Sequence, residues 1–141
     1  MKIRVLYVGK IRECYSKVGV EEFLKRLRSR RVELLEIADS NVPKEGEDIL
    51  KKISDGDLVV ALLESGEQLT SLEFADFIRK AEKNICFVLG GPEGLSEEVL
   101  KRANRKLSLS RMTFTHEMAR LILLEQIYRA FMIIEDKPYH R

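Results

Sequence analysis

Gly90-Gly91-Pro92-Glu93-Gly94 carries the sharpest chemical signal in this chain. The segment lies between the apolar run Ile85 to Leu89 and a helix start at Ser96. Glycine and proline together make a tight loop whose backbone can take positive φ angles and approach a ligand closely. The spacing is neither GxGxxG nor a phosphate-binding P-loop. Glu93, Glu97 and Glu98 crowd the helix start, where a phosphate would want bare amides and positive potential, so a phosphate ligand is disfavoured. A ligand that joins a nucleoside to a cationic centre, such as S-adenosylmethionine, suits those carboxylates better. A tight structural turn explains the glycines equally well, and on them alone the two readings stand level.

At the C-terminus, Tyr139-His140-Arg141 combines a stacking surface, a titratable imidazole and a fixed cation. Such a trio can hold an unstacked nucleobase against a phosphate. By itself, a polar C-terminus is more often solvated chain. Two basic groups, Lys25, Arg26, Arg28, Arg30 and Arg31, then Lys101, Arg102, Arg105, Lys106 and Arg111, could together hold phosphates. Each of these residues taken singly reads more simply as solvated surface. His116 and His140 are the only histidines, which argues against a multi-histidine metal centre. Cys14 and Cys86 form no CxxC pair, so neither a zinc site nor a disulfide framework is indicated.

These residues need a scaffold, and the 141-residue length suits one domain with an ordinary core. Charged residues make up 34% of the chain, yet the formal net charge is only +2, so any nucleic-acid contact must use local patches. No apolar signal region precedes the first strand-like run, and the longest uninterrupted apolar run is Leu58 to Leu63. A soluble cytoplasmic protein without a membrane or metal partner is expected.

Strand and helix patterns take turns along the chain. Ile3 to Val8 reads as a buried strand, followed by a helix carrying Val20, Phe23, Leu24 and Leu27. Val32 to Ile37 is a second strand, and a short helix from Glu45 to Ile53 is expected after a turn at Pro43. Leu58 to Leu63 is a third strand, apolar throughout as in a sheet covered on both faces. Thr70 and Glu73 form a capping box that opens a helix through Phe74, Phe77, Ile78 and Ala81. Ile85 to Leu89 is a fourth strand, a helix starts at Ser96, and Leu107 to Ser110 alternates as a short fifth strand. A long helix from about Glu117 to Glu135 completes an α/β arrangement around a mostly parallel sheet.

Met118, Leu121, Ile122, Leu123, Leu124, Ile127, Phe131, Ile133 and Ile134 project around nearly the whole circumference of that last helix. A surface helix would show one apolar stripe. So short a chain has little other structure to bury every side, which favours a homodimer seam over a helix buried within one subunit. Glu125 and Arg129, spaced i to i+4, are expected to pair, whereas Arg120 has no such partner.

In order along the chain, Leu89-Gly90-Gly91-Pro92-Glu93-Gly94-Leu95-Ser96, Leu107-Ser108-Leu109-Ser110-Arg111-Met112-Thr113-Phe114, His116 to Arg120, Glu125-Gln126-Ile127-Tyr128-Arg129-Ala130 and Pro138-Tyr139-His140-Arg141 resemble the RlmH family. Its members are large-subunit ribosomal RNA methyltransferases of the SPOUT class. The likeness runs from the first strand to the last residue, with one departure: Thr115 stands where the family commonly has proline. The resemblance implies a single domain over residues 1–141 with a trefoil knot near the C-terminus. It implies S-adenosylmethionine as cofactor, held by Leu63, Gly90, Leu109, Ser110, Arg111, Met112, Thr113 and Phe114. It implies methyl transfer to N3 of a pseudouridine in a 23S rRNA stem-loop of the assembled ribosome, by a homodimer. Under this reading Tyr139 and His140 position the base, with His140 a candidate proton acceptor. Arg120, Arg129 and Arg141 are candidate contacts to RNA or to a partner chain, and His116 is a structural residue at the helix start. The rival is a ribosome-associated RNA-binding protein that keeps the fold without catalysis.

Overall fold

A computed structural model describes all of residues 1–141. Five strands, β1 (Ile3–Val8), β2 (Val32–Ile37), β3 (Leu58–Gln68), β4 (Ile85–Leu89) and β5 (Arg105–Ser108), alternate with five helices. The helices are α1 (Cys14–Arg26), α2 (Val42–Lys52), α3 (Ser71–Lys80), α4 (Glu97–Arg102) and α5 (His116–Ile134), with one 3-10 turn at Arg28–Arg30. All strand pairs are parallel, in the order β2-β1-β4-β3-β5, which makes the domain α/β.

The period of two along each strand sorts the core into two layers. Ile3, Val5 and Tyr7 of β1, with Phe87 of β4 and Val60 of β3, pack under α1, α3 and α5 through Val20, Leu27, Phe74, Ile78, Leu123, Leu124 and Ile127. Leu6 and Val8, with Cys86, Val88 and Val59, face the other way against Ile49 of α2 and Val99 of α4. Coverage on both faces explains why β4 reads as an unbroken apolar run and β1 is interrupted only by Arg4.

Helix starts follow local chemistry. Thr70 and Glu73 make the expected reciprocal capping box on α3, with Thr70 Oγ1 accepting from the Glu73 amide at 3.1 Å and Glu73 Oε1 accepting from the Thr70 amide at 2.8 Å. Ser96 caps α4 through the Val99 amide. Thr115 accepts from the Met118 amide at 3.2 Å and so caps α5. Three boundaries differ from expectation. The second helix starts at Val42 and contains Pro43, because a proline in the first turn gives up only an amide that has no helical partner. The fifth strand spans Arg105–Ser108, ahead of the alternating segment that suggested it. The third strand runs on to Gln68, with a break in its ladder to β5: Leu107 is paired both by Leu62 and by Glu67, so residues 63–66 bulge out.

That bulge passes very close to β5. A Cβ on Gly66 would lie 2.7 Å from the Leu107 carbonyl carbon and 2.8 Å from the Leu107 nitrogen. Only glycine fits this crossing.

Candidate functional site

Parallel strands bring all their carboxyl ends to one edge of the sheet, the usual place for a ligand in an open α/β fold. Leu63 begins the bulge of β3, Gly90 follows β4, and Leu109 follows β5. Since β4, β3 and β5 are consecutive in the sheet, these three segments from distant parts of the sequence share one stretch of that edge.

The glycine loop closes on itself. The Gly94 amide donates to the Gly91 carbonyl at 3.0 Å, and Gly94 sits at φ 86°. A Cβ on Gly90 would lie 2.7 Å from the Gly94 carbonyl carbon and oxygen. Gly90 is therefore required by the turn itself, and Gly94 by its left-handed backbone. The segment Ser110 to Phe114 forms an exposed loop pinned at its start, where Ser108 Oγ donates to the Ser110 carbonyl at 2.9 Å and Ser110 Oγ accepts from the Met112 amide at 3.0 Å. Met112 is 75% exposed and Phe114 36%, so the loop presents two large apolar side chains to solvent, the first almost wholly and the second in part. Ser108 and Leu109 also line a cavity of about 180 Å³ between α3, β5 and α5, together with Ser71, Phe74, Ile122 and Gln126. Neither Leu63 nor Gly90 reaches that cavity, so the expected cofactor residues share an edge and not an enclosed pocket. An exposed loop bearing Met112 and Phe114, a tight glycine turn and acidic side chains at Glu93, Glu97 and Glu98 fit a cationic nucleoside in chemical character. The chain holds no group of three His, Cys, Asp or Glu side chains able to bind a metal, and no helix long and apolar enough to cross a membrane.

The tail folds back onto α5. Tyr139 Oη donates to Glu125 Oε2 at 2.8 Å, and its ring meets that of Tyr128 edge-on with centroids 4.8 Å apart. Burial, then the hydrogen bond to Glu125, push the Tyr139 hydroxyl above its ordinary pKa. Arg129 pairs with Glu125 as its spacing predicted, Nη2 donating to Oε2 at 2.9 Å. The Arg129 guanidinium carbon also lies 4.9 Å from the Tyr139 ring centre, and its Nη1 is 3.1 Å from His140 Nδ1. Glu125 Oε1 accepts from Gln126 Nε2 at 2.9 Å, and Gln126 Oε1 accepts from Ser71 Oγ at 2.7 Å. A continuous polar chain thus runs from the cavity wall at Ser71 to the tail. Gln126 and Tyr128 entered the sequence reading only within the block that carries the resemblance, with no role assigned, and Ser71 did not enter it. The available signal was polar residues interrupting an apolar helix.

Arg120 sits elsewhere. It is 1% exposed, donates from Nη2 to the Val8 carbonyl, and lies 4.5 Å over the Tyr7 ring. A contact to RNA would need it at the surface, and here it ties α5 to the end of β1. Its Nε and Nη1 have no hydrogen-bond partner. Burial lowers its pKa, partly offset by Tyr7, Glu117 and Glu36. Nearby, Glu117 accepts from the Arg12 and Glu13 amides at 2.8 and 3.0 Å, joining the start of α5 to that of α1. Burial works to raise its pKa, but the two amides outweigh it and the net shift is downward. His116 is half-buried at the first turn of α5.

The basic groups divide in two. Arg26 pairs with Glu22, Arg30 with Glu135 and Arg105 with Glu67, while Arg102 donates to the Ser54 and Asp57 carbonyls. Lys25, Arg28, Arg31, Lys101, Lys106, Arg111 and Arg141 are exposed and in no ion pair. Apolar side chains also remain uncovered along α1 and the start of α5: Tyr15 is 48%, Val18 64% and Met118 38% exposed.

Comparison with known proteins agrees with this architecture. Residues 1–140 match the family described as Predicted SPOUT methyltransferase. Full-length relatives named ribosomal RNA large subunit methyltransferase H are 48% identical in Carboxydothermus hydrogenoformans and 44% in Bacillus pumilus, each aligned over 100% of both chains. Among solved structures, a probable methylase family protein from Haemophilus influenzae superposes with a TM-score of 0.62 at 16% identity, over 99% of this chain and 70% of its own. A tRNA methyltransferase from Aquifex aeolicus gives 0.61 at 17% identity, over 92% and 70%. An α/β domain with this sheet, matched from end to end by such relatives, is a methyltransferase and belongs to the SPOUT family, in the group of the ribosomal RNA large subunit methyltransferases H.

Proposed function

We propose that this chain methylates N3 of a pseudouridine in a 23S rRNA stem-loop of the assembled ribosome, as a cytoplasmic homodimer that uses S-adenosylmethionine. The observation that carries the reading is the shared stretch of sheet edge formed by Leu63, where β3 leaves its ladder to β5, Gly90 after β4 and Leu109 after β5. Leu63, the Gly90 turn and Leu109 to Phe114 would hold the cofactor, which when bound supplies an electrophilic methyl group on sulfur. The tight passage of Gly66 over β5 supports a threaded loop of the trefoil-knot kind. The names of the full-length relatives support ribosomal RNA as substrate.

The chain's own residues suit the remaining tasks. Lys25, Arg28 and Arg31, with Lys101, Lys106 and Arg111, would meet phosphates and set the position of the RNA. Tyr139 would stack on a base that has left its helix, beside His140, Arg129 and Arg141. The exposed Tyr15, Val18 and Met118, with the half-buried outer residues of α5, would form the seam with a second copy.

Incubating ribosomes with the protein and methyl-labelled S-adenosylmethionine, then mapping nucleosides by mass spectrometry, tests this directly. Label on a 23S rRNA pseudouridine is the expected result. Cofactor binding without any transfer would instead favour the RNA-binding protein that has lost catalysis.

A further inference from the structure

The contact between Arg129 and the tail bears on which nitrogen of His140 holds a hydrogen. Arg129 Nη1 lies 3.1 Å from His140 Nδ1. A guanidinium offers donors only, so Nδ1 must accept, through its lone pair. A neutral imidazole that accepts at Nδ1 carries its hydrogen at Nε2. Arg129 is held for this task by the 2.9 Å bond of its other nitrogen to Glu125. Glu125 is held in turn by Gln126 and, through it, by Ser71 of α3. The charged and titratable groups around the tail are Glu125, Tyr128 and Arg129 of α5, Lys137, Tyr139 and Arg141 of the tail itself, Glu135, which pairs with Lys137, and Arg26 of α1, whose guanidinium lies 5.4 Å from the Tyr128 ring that Tyr139 abuts.

We propose that His140 acts as a hydrogen-bond donor through Nε2–H, directed at a carbonyl oxygen of the target pyrimidine, and not as the base that removes its imide proton. The inference rests on the reading of the tail as the element that meets the RNA base. In the reaction, the N3–H bond breaks and its proton passes to solvent water or hydroxide. The electron pair left on N3 forms the new N–C bond as the S–C bond of the sulfonium donor breaks, and the electrons of that bond stay on sulfur as a thioether. Negative charge on the deprotonated imide is shared with its two carbonyl oxygens, and an N–H donor aimed there stabilises the anion before and during attack. Glu125 and Arg129 are positioning residues in this scheme: they fix the tautomer that makes His140 a donor.

Two measurements test it. Long-range proton–nitrogen spectra of the protein with labelled histidine, without cofactor or RNA, should show His140 as the Nε2–H tautomer at neutral pH. Protonation at Nδ1 instead would overturn the proposal. Single-turnover methylation of ribosomes at saturating S-adenosylmethionine supplies the second readout. His140→Gln places an amide N–H about where Nε2–H lies and should stay within about tenfold of the wild-type rate, with His140→Ala a further ten- to hundredfold slower. Wild type and His140→Gln should both gain rate with rising pH through neutrality at the same slope, since solvent takes the proton. Equal losses in the two variants, or a wild-type plateau above about pH 7 that His140→Gln lacks, would show His140 taking the proton and would overturn the proposal. Removal of residues 137–141 separates the two layers: an unchanged rate in that variant sinks the tail's role in binding the base, whatever the tautomer.

Discussion

Gly66→Ala puts one methyl group into the crossing of β3 over β5. Its carbon would lie 2.7 to 2.8 Å from three backbone atoms, the carbonyl carbon and nitrogen of Leu107 and the carbonyl carbon of Lys106. Carbon atoms rest at roughly 3.5 to 4.0 Å, so the two segments must part by nearly 1 Å. No side chain can rotate away, because every atom struck is backbone. Leu107 is also the residue paired from both sides of the bulge, by Leu62 and Glu67, so the movement strains a ladder anchored at both ends. The cost belongs at or above the upper part of the 1–3 kcal/mol range for overpacking, about 3 kcal/mol. For a domain of this size that is a fall of about 10 °C in melting temperature. Because the bulge carries Leu63 and β5 leads into Leu109, calorimetric affinity for S-adenosylmethionine should fall as well. Gly56→Ala, whose Cβ meets nothing within 4 Å, is the control and should melt like wild type. A Gly66→Ala protein melting within about 2 °C of wild type would refute the close crossing and the role assigned to it.

Three further expectations follow from single contacts. The Arg30–Glu135 pair, with Arg30 nitrogens 2.6 and 2.7 Å from the two carboxylate oxygens, holds the Glu135 carboxyl down at about 2, against an ordinary 4.5. A depressed acid contributes stability that is present above the ordinary value and lost as pH falls through the folded one. Arg30→Ala should therefore cost about 1 kcal/mol at pH 7 after solvent screening, with the gap closing between pH 4.5 and 2 in urea titrations. Val18→Glu charges an exposed position without touching the core, so light scattering should show a dimeric wild type and a monomeric, folded variant; a monomeric wild type at micromolar concentration contradicts the seam. Arg120→Ala removes a fully buried side chain that bonds the Val8 carbonyl and covers Tyr7, and should lower stability by about 3 kcal/mol in urea; no loss would mean that Arg120 does not join α5 to β1.

The sequence by itself determined most of what depends on near neighbours. Strands β1, β2 and β4 match their expected bounds, because short runs rich in β-branched and other apolar residues, flanked by turn residues, have few other local solutions. The Thr70–Glu73 capping box and the Glu125–Arg129 pair also follow from spacings of three and four residues on a helix. Ordered blocks of residues around the glycine loop, the Leu107 to Phe114 segment and the tail carried the family resemblance, which the full-length relatives bear out.

Other features depended on which segments meet in space. The sheet order β2-β1-β4-β3-β5 brings residues 63, 90 and 109 to one edge, and nothing in their local sequence encodes that neighbourhood. The bulge at 63–66 lengthened β3 past its apolar run, because its polar end pairs with a strand some forty residues away. Arg120 was a candidate contact to RNA or to a partner chain, since sequence records charge but not burial; the fold buries it at the end of β1 against a carbonyl and an aromatic ring. The tail shows the same division. Its residue types indicated stacking, proton chemistry and phosphate contact, yet the hydrogen bonds that orient them come from Glu125, Arg129 and Tyr128, side chains which only the turn after α5 brings within reach. Local sequence sets which groups are present and how each segment folds, whereas the direction of a donor or the depth of a charge is set by the atoms packed around it, and those arrive through tertiary structure.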